Sequence, residues 1–217
     1  MPDLSRRDLI VSAATAAATS SCRTQGEAQA PGPQSRFELD EFVSDVRRAR
    51  AESDAQGAVQ EVLARAVSEP KSVILGIGEP RAAGIHELYR APDLTILNVV
   101  WAPLMILLPH EHRMWATIGI YSGREDNIVW KRIGPQVEAY GAASLSEREV
   151  FSLPEDAVHS VTNPIERMTG ALHIYGGDFF ATPRSEWDAE TLREQPFDLV
   201  RARRIFEEAT RRFEAGR

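Results

Sequence analysis

Residues 109–123 read PHEHRMWATIGIYSG, and the fold turns on how this stretch is interpreted. Side chains of an extended chain alternate between its two faces, so His110 and His112, two residues apart, leave the same face and can converge on one ion. The residues that follow suit a strand. Trp115, Ile118, Ile120 and Tyr121 are β-formers, and Gly123 with Arg124, Glu125 and Asp126 supplies a turn. Neutral imidazole is a common ligand for iron, copper, nickel and zinc, but two ligands do not fix a catalytic ion. The third donor is sought in His159, within LPEDAVHSVTN, another apolar run with a turn-like entry. Glu111 points to the opposite face by alternation and is read as structural.

Working outward, residues 94–102 form an apolar strand broken at Pro103, after 85–90, where His86 is left as a loop histidine. Downstream, turns are expected at Gly123, around Gly134-Pro135 and at Gly141. Residues 150–153 and 158–161 read as strands around the turn Pro154-Glu155-Asp156, the second carrying His159. Asn163-Pro164 turns the chain again. Residues 171–175 return as a strand with His173 and Tyr175 on one face, ended by Gly176-Gly177-Asp178. Short strands spaced by roughly ten residues predict an all-β barrel or sandwich, not alternating β and α units.

Helical periodicity brackets this region. Phe42 and Val46, then Val59, Leu63, Ala66 and Val67, recur at three- and four-residue spacing, with Ser53-Asp54 starting the second helix and Pro70 ending it. Gly76-Ile77-Gly78-Glu79-Pro80-Arg81 lacks the third glycine of a dinucleotide loop and is rejected as one. Ser185-Glu186-Trp187-Asp188 reads as a helix start, and Leu199, Ala202, Phe206, Ala209 and Phe213 form an apolar stripe for packing on the barrel exterior.

The 217 residues, 43% apolar and 26% charged, suffice for one folded domain with appendages. A net charge of -7 without a basic stripe argues against nucleic acid as a partner. Cys22 is the one cysteine, which excludes intrachain disulfides, cysteine zinc sites and a cysteine nucleophile in the main domain. Arg6-Arg7 followed by a weakly apolar, alanine-rich run makes residues 1–22 resemble a Tat signal, so export to the periplasm is expected. Thr19-Ser20-Ser21-Cys22 is a poor relative of a lipoprotein box, and a membrane contact is expected only if Cys22 is lipidated. Residues 23–36, rich in Gln, Gly and Pro, read as a flexible linker.

Four segments in order carry a family resemblance: PHEH at 109–112, the glycine eleven residues after the second histidine, HSVTNP at 159–164 and LHIYGGDF at 172–179. Trp101-Ala102-Pro103 adds to them, nine residues before His110. Together they resemble the cupins. More narrowly they resemble the cysteine dioxygenase branch of thiol dioxygenases and bacterial proteins described as predicted metal-dependent enzymes of the double-stranded β-helix superfamily. The likeness covers about residues 88 to 180.

The resemblance implies a mostly β fold, a double-stranded β-helix (jelly-roll) barrel with N-terminal helices and a C-terminal helix, over 37–217. It implies Fe(II), or another divalent metal, held by His110, His112 and His159. Ala116 and Thr117 stand where many cupins place a ligating glutamate. It assigns a carboxylate-binding role to Arg90 and supporting roles to His173 and Tyr175, with Ala171 replacing the family's serine. The implied reaction oxidises a small thiol, such as a thiol carboxylate, to a sulfinate with O2, in a monomer or homodimer. Two other readings fit the same residues: a cupin oxygenase or isomerase acting on a non-thiol substrate, and an exported cupin that binds a metal or small ligand without turnover. Trp115 is read as core ahead of pocket wall; for Trp101, Met105 and Met114 the two readings stay open.

Overall fold

Three helices precede the first strand in the computed structural model, which describes residues 36–216. The Tat-like leader, Cys22 and all but the last residue of the expected linker lie outside the described residues. Helices α1 (Leu39–Arg50) and α2 (Ala55–Val67) match the apolar spacing, and Asp54 caps α2 by accepting the Gly57 N–H at 3.1 Å. Pro70 does not end α2. It opens a third helix, α3 (Pro70–Ile77), in its first turn, where proline's missing N–H costs nothing.

Eleven strands follow among the described residues: β1 (Gly84–Ala91), β2 (Leu94–Trp101), β3 (Ile106–Glu111), β4 (Ala116–Ser122), β5 (Arg124–Ile133), β6 (Gln136–Ser146), β7 (Val150–Leu153), β8 (Val158–Thr162), β9 (Thr169–Tyr175), β10 (Ser185–Trp187) and β11 (Glu194–Pro196). They form two antiparallel sheets, β1-β2-β9-β4-β7 and β11-β10-β3-β8-β5-β6. From β2 to β5, and again from β6 to β10, successive strands alternate between the sheets, as in a double-stranded β-helix. The last helix is α4 (Leu199–Ala215), capped by Asp198, whose carboxylate accepts the N–H groups of Val200 and Arg201.

Alternation divides the five-stranded sheet between two cores. Leu94, Ile96, Leu172 and Ile174 face outward onto Phe42, Val46, Leu63 and Val67 of α1 and α2. Leu97, Val99, Trp101, Ile118 and Tyr175 face the barrel interior, which Phe206 of α4 joins at one side. Gly119 lets α2 lie close on β4: a Cβ there would meet Leu63 Cγ at 2.8 Å.

Several local expectations are corrected. Residues 109–123 are not one strand. The chain reverses after His112, with Arg113 at φ +55°, and passes from β3 in one sheet to β4 in the other. Of the expected turn at 123–126 only Gly123 turns; β5 starts at Arg124, which takes Glu125 into the interior. Gly141 lies within β6 beside a bulge at Tyr140, the residue skipped as the pairing passes from Val129–Gly141 to Trp130–Ala139. His86 belongs to β1, and Ser185 starts a strand rather than a helix.

Candidate metal centre

His110 on β3 pairs in register with His159 on β8, so their side chains leave the sheet together, and His112 follows just beyond the end of β3. The three rings are buried, with centroids 4.6, 4.9 and 5.0 Å apart. One nitrogen from each lies within 4.8 Å of the others, and Nε2 of His159 is 3.3 Å from Nε2 of His112. That spacing suits ligands of a common ion at about 2.0–2.2 Å.

The partners of the other ring nitrogens set the tautomers. Nδ1 of His110 is 2.8 Å from the Leu108 carbonyl, a pure acceptor, so Nδ1 carries the proton and Nε2 keeps its lone pair. Nδ1 of His159 donates in the same way to Asn127 Oδ1 at 2.7 Å. Burial holds all three imidazoles neutral, His110 down at about 4 and the other two well below their usual range. Neutral, convergent, buried nitrogen donors fit a divalent metal ion.

Beside the triad, the Tyr175 ring meets His112 edge-on with centroids 4.9 Å apart, and its hydroxyl is 3.1 Å from Nδ1 of His173. Burial pushes its phenol well above the ordinary value, so it keeps its proton. The structure thus brings His110, His112, His159, Tyr175 and His173 into one interior cluster.

Arg90 stands apart from that cluster. It sits on β1, the edge strand, with 40% of its side chain exposed, and its Nε and Nη2 form a two-pronged pair with Asp178 at 2.9 and 3.0 Å. Trp115 packs with the helix-side core, as the core reading expects. Glu111 is buried and tied to Arg113, Arg132 and the Ser185 N–H, consistent with a structural role.

Two residues here escaped the sequence reading. Arg184 is 8% exposed, with its guanidinium between the rings of Phe179 and Phe197 at 4.2 and 4.1 Å. Those rings lie 6.1 Å from His112 and 6.0 Å from His110. Nη1 donates to the Phe179 and Thr182 carbonyls, while Nε and Nη2 have no hydrogen-bond partner among the described residues. Burial lowers its pKa to about 10, which leaves it charged at neutral pH. Glu125, the second, is fully buried and accepts from Trp101 Nε1 at 2.8 Å and Asn127 Nδ2 at 3.0 Å.

No family model matches the chain. Among solved structures it is similar to an RmlC-like cupin family protein with a double-stranded β-helix fold from Methanocaldococcus jannaschii, at 10% identity and TM-score 0.39 over 46% of this chain and 84% of that one. It is similar to oxalate decarboxylase from Bacillus subtilis at 17% identity and TM-score 0.35, over 42% of this chain and 22% of that chain. It is also similar to the Cnp3 cupin domain of Schizosaccharomyces pombe at 13% identity and TM-score 0.36, over 44% of this chain and 61% of that one. The chain spans less than a quarter of the decarboxylase's length. At these TM-scores the fold rests on strand order and register. Fold and site define a cupin-type double-stranded β-helix with a buried three-histidine candidate metal site.

Proposed function

We propose that the protein is a mononuclear iron oxygenase of the thiol dioxygenase type, converting a small thiol carboxylate, R–SH, and O2 into the sulfinic acid, R–SO2H. The observation that carries this reading is a candidate ligand set of three neutral imidazoles with no carboxylate among them; Ala116 and Thr117 on β4 offer none, and the Thr117 hydroxyl turns to Ser152 instead. Such a set leaves a divalent ion its full charge, which suits a substrate that brings an anionic donor such as a thiolate. When bound, iron supplies Lewis acidity and the one-electron chemistry that lets dioxygen react.

The chain's own residues supply the rest. Tyr175, protonated and backed by His173, offers a hydrogen-bonding group beside His112. Phe179 and Phe197 line the site with apolar surface. Arg184 offers Nε and Nη2, the pair of donors that grips a carboxylate through two parallel bonds. The same pair on Arg90 already holds Asp178. This reading therefore moves the carboxylate-binding role from Arg90 to Arg184. The leader read at 1–22 adds export to the periplasm as part of the proposal, to be checked by cell fractionation.

The test is anaerobic loading with Fe(II), followed by cysteine, 3-mercaptopropionate or cysteamine in aerated buffer, with oxygen uptake and sulfinate followed together. Equal consumption of O2 and formation of sulfinate is expected for a thiol bearing a carboxylate. Absence of turnover with every thiol at full iron occupancy would sink the reading.

A further inference from the structure

Glu125 stands behind two parts of the site at once. Its Oε1 accepts from Asn127 Nδ2 at 3.0 Å, which fixes the amide so that Asn127 Oδ1 receives the His159 Nδ1 proton at 2.7 Å. Its Oε2 lies 3.4 Å from Nε2 of His173, whose Nδ1 is 3.1 Å from the Tyr175 hydroxyl. The 3.4 Å contact is within ion-pair reach, but the ring is not aligned for a hydrogen bond, and Nε2 has no hydrogen-bond partner among the described residues. Among those residues no lysine or arginine pairs with Glu125.

Burying a carboxylate without a cationic partner is costly, and holding the Trp101 indole would need only a neutral acceptor. The carboxyl group has a use where its oxygens face N–H donors. Toward His173 it favours the proton on Nε2 and frees Nδ1 to accept from Tyr175. Toward His159 it polarises the Asn127 amide, strengthening the bond that keeps the proton on Nδ1 and Nε2 open.

We propose that Glu125 is a positioning residue that sets the tautomers of both His173 and His159, coupling the Tyr175 hydrogen bond to the metal-binding nitrogen. This rests on the metal reading above, so the test has a metal-free arm and a metal arm. In metal-free protein, imidazole 15N spectra are expected to show His159 protonated at Nδ1 and His173 at Nε2, and Glu125→Gln to convert His173 to a mixture. In the metal arm, Glu125→Gln is expected to weaken Co(II) binding about tenfold, within the usual range for losing an outer partner of a histidine ligand. Asn127→Ala spares the Trp101 bond and is expected to weaken binding similarly, with the double variant no weaker than Asn127→Ala alone. Unchanged tautomers in Glu125→Gln, or additive losses in the double variant, would overturn the proposal. A wild-type chain that binds no Co(II) would defeat the metal reading and leave the tautomer arm to decide this one.

Discussion

His110, His112 and His159 are neutral because they are buried, and that ties the stability of the metal-free protein to pH. Unfolded, each imidazole takes its proton near 6.5; folded, His110 resists until about 4 and the other two also titrate well below 6.5. The unfolded state therefore binds more protons in this window, so stability is full above about pH 6.5 and declines as pH falls toward 4. Melting curves across that range should show the metal-free midpoint dropping steadily, with a shallower slope in His110→Gln. Arg184 gives a second expectation. Arg184→Gln should weaken 3-mercaptopropionate relative to cysteamine by roughly tenfold or more, as for a lost charge-assisted fork, and Arg90→Gln should change that ratio less. Competition for the metal-loaded protein, followed spectroscopically, measures both. Of the candidate ligands, His110 and His112 were legible because HxH spacing reports a shared face, and His159 because it sits in another apolar, strand-like run with a turn-like entry. Arg184 and Glu125 were not, because neither spacing nor composition distinguishes a buried ionisable side chain from a solvated one, and RED after Gly123 resembles a turn.

At the scale of elements, the register between β3 and β8 assembles the site, while α1 and α2 cover the back of the sheet that carries Tyr175 and His173. Gly119 is the test of that packing. Gly119→Ala places a methyl 2.8 Å from Leu63 Cγ and 3.0 Å from Val67 Cγ1, so α2 must shift. A loss of about 1–3 kcal/mol is expected from overpacking, read by denaturant titration. Apolar periodicity revealed α1, α2 and α4 because each has a continuous stripe. It missed α3, since a proline read as a stop also suits a helix's first turn, and it misread β10, whose three residues are too few for any period to appear. The reversal at Arg113 was hidden for another reason: a left-handed arginine announces itself in no pattern of polarity.

For the whole molecule, a metal bound only by the folded state stabilises it by mass action. At a hundredfold excess over its dissociation constant the gain is about 2.7 kcal/mol. A divalent ion should therefore raise the melting midpoint of the wild type by several degrees and that of His159→Ala hardly at all, as calorimetry with and without a chelator would show. The C-terminal helix extends this dependence further than its position suggests. Phe206 packs 5.1 Å from the Trp101 ring, and the Trp101 indole N–H is held by Glu125. Shortening that side chain, as in Phe206→Leu, would loosen the lever on which the indole rests, so a scan for faulty metal uptake should recover lesions in a helix that carries none of the three candidate histidines.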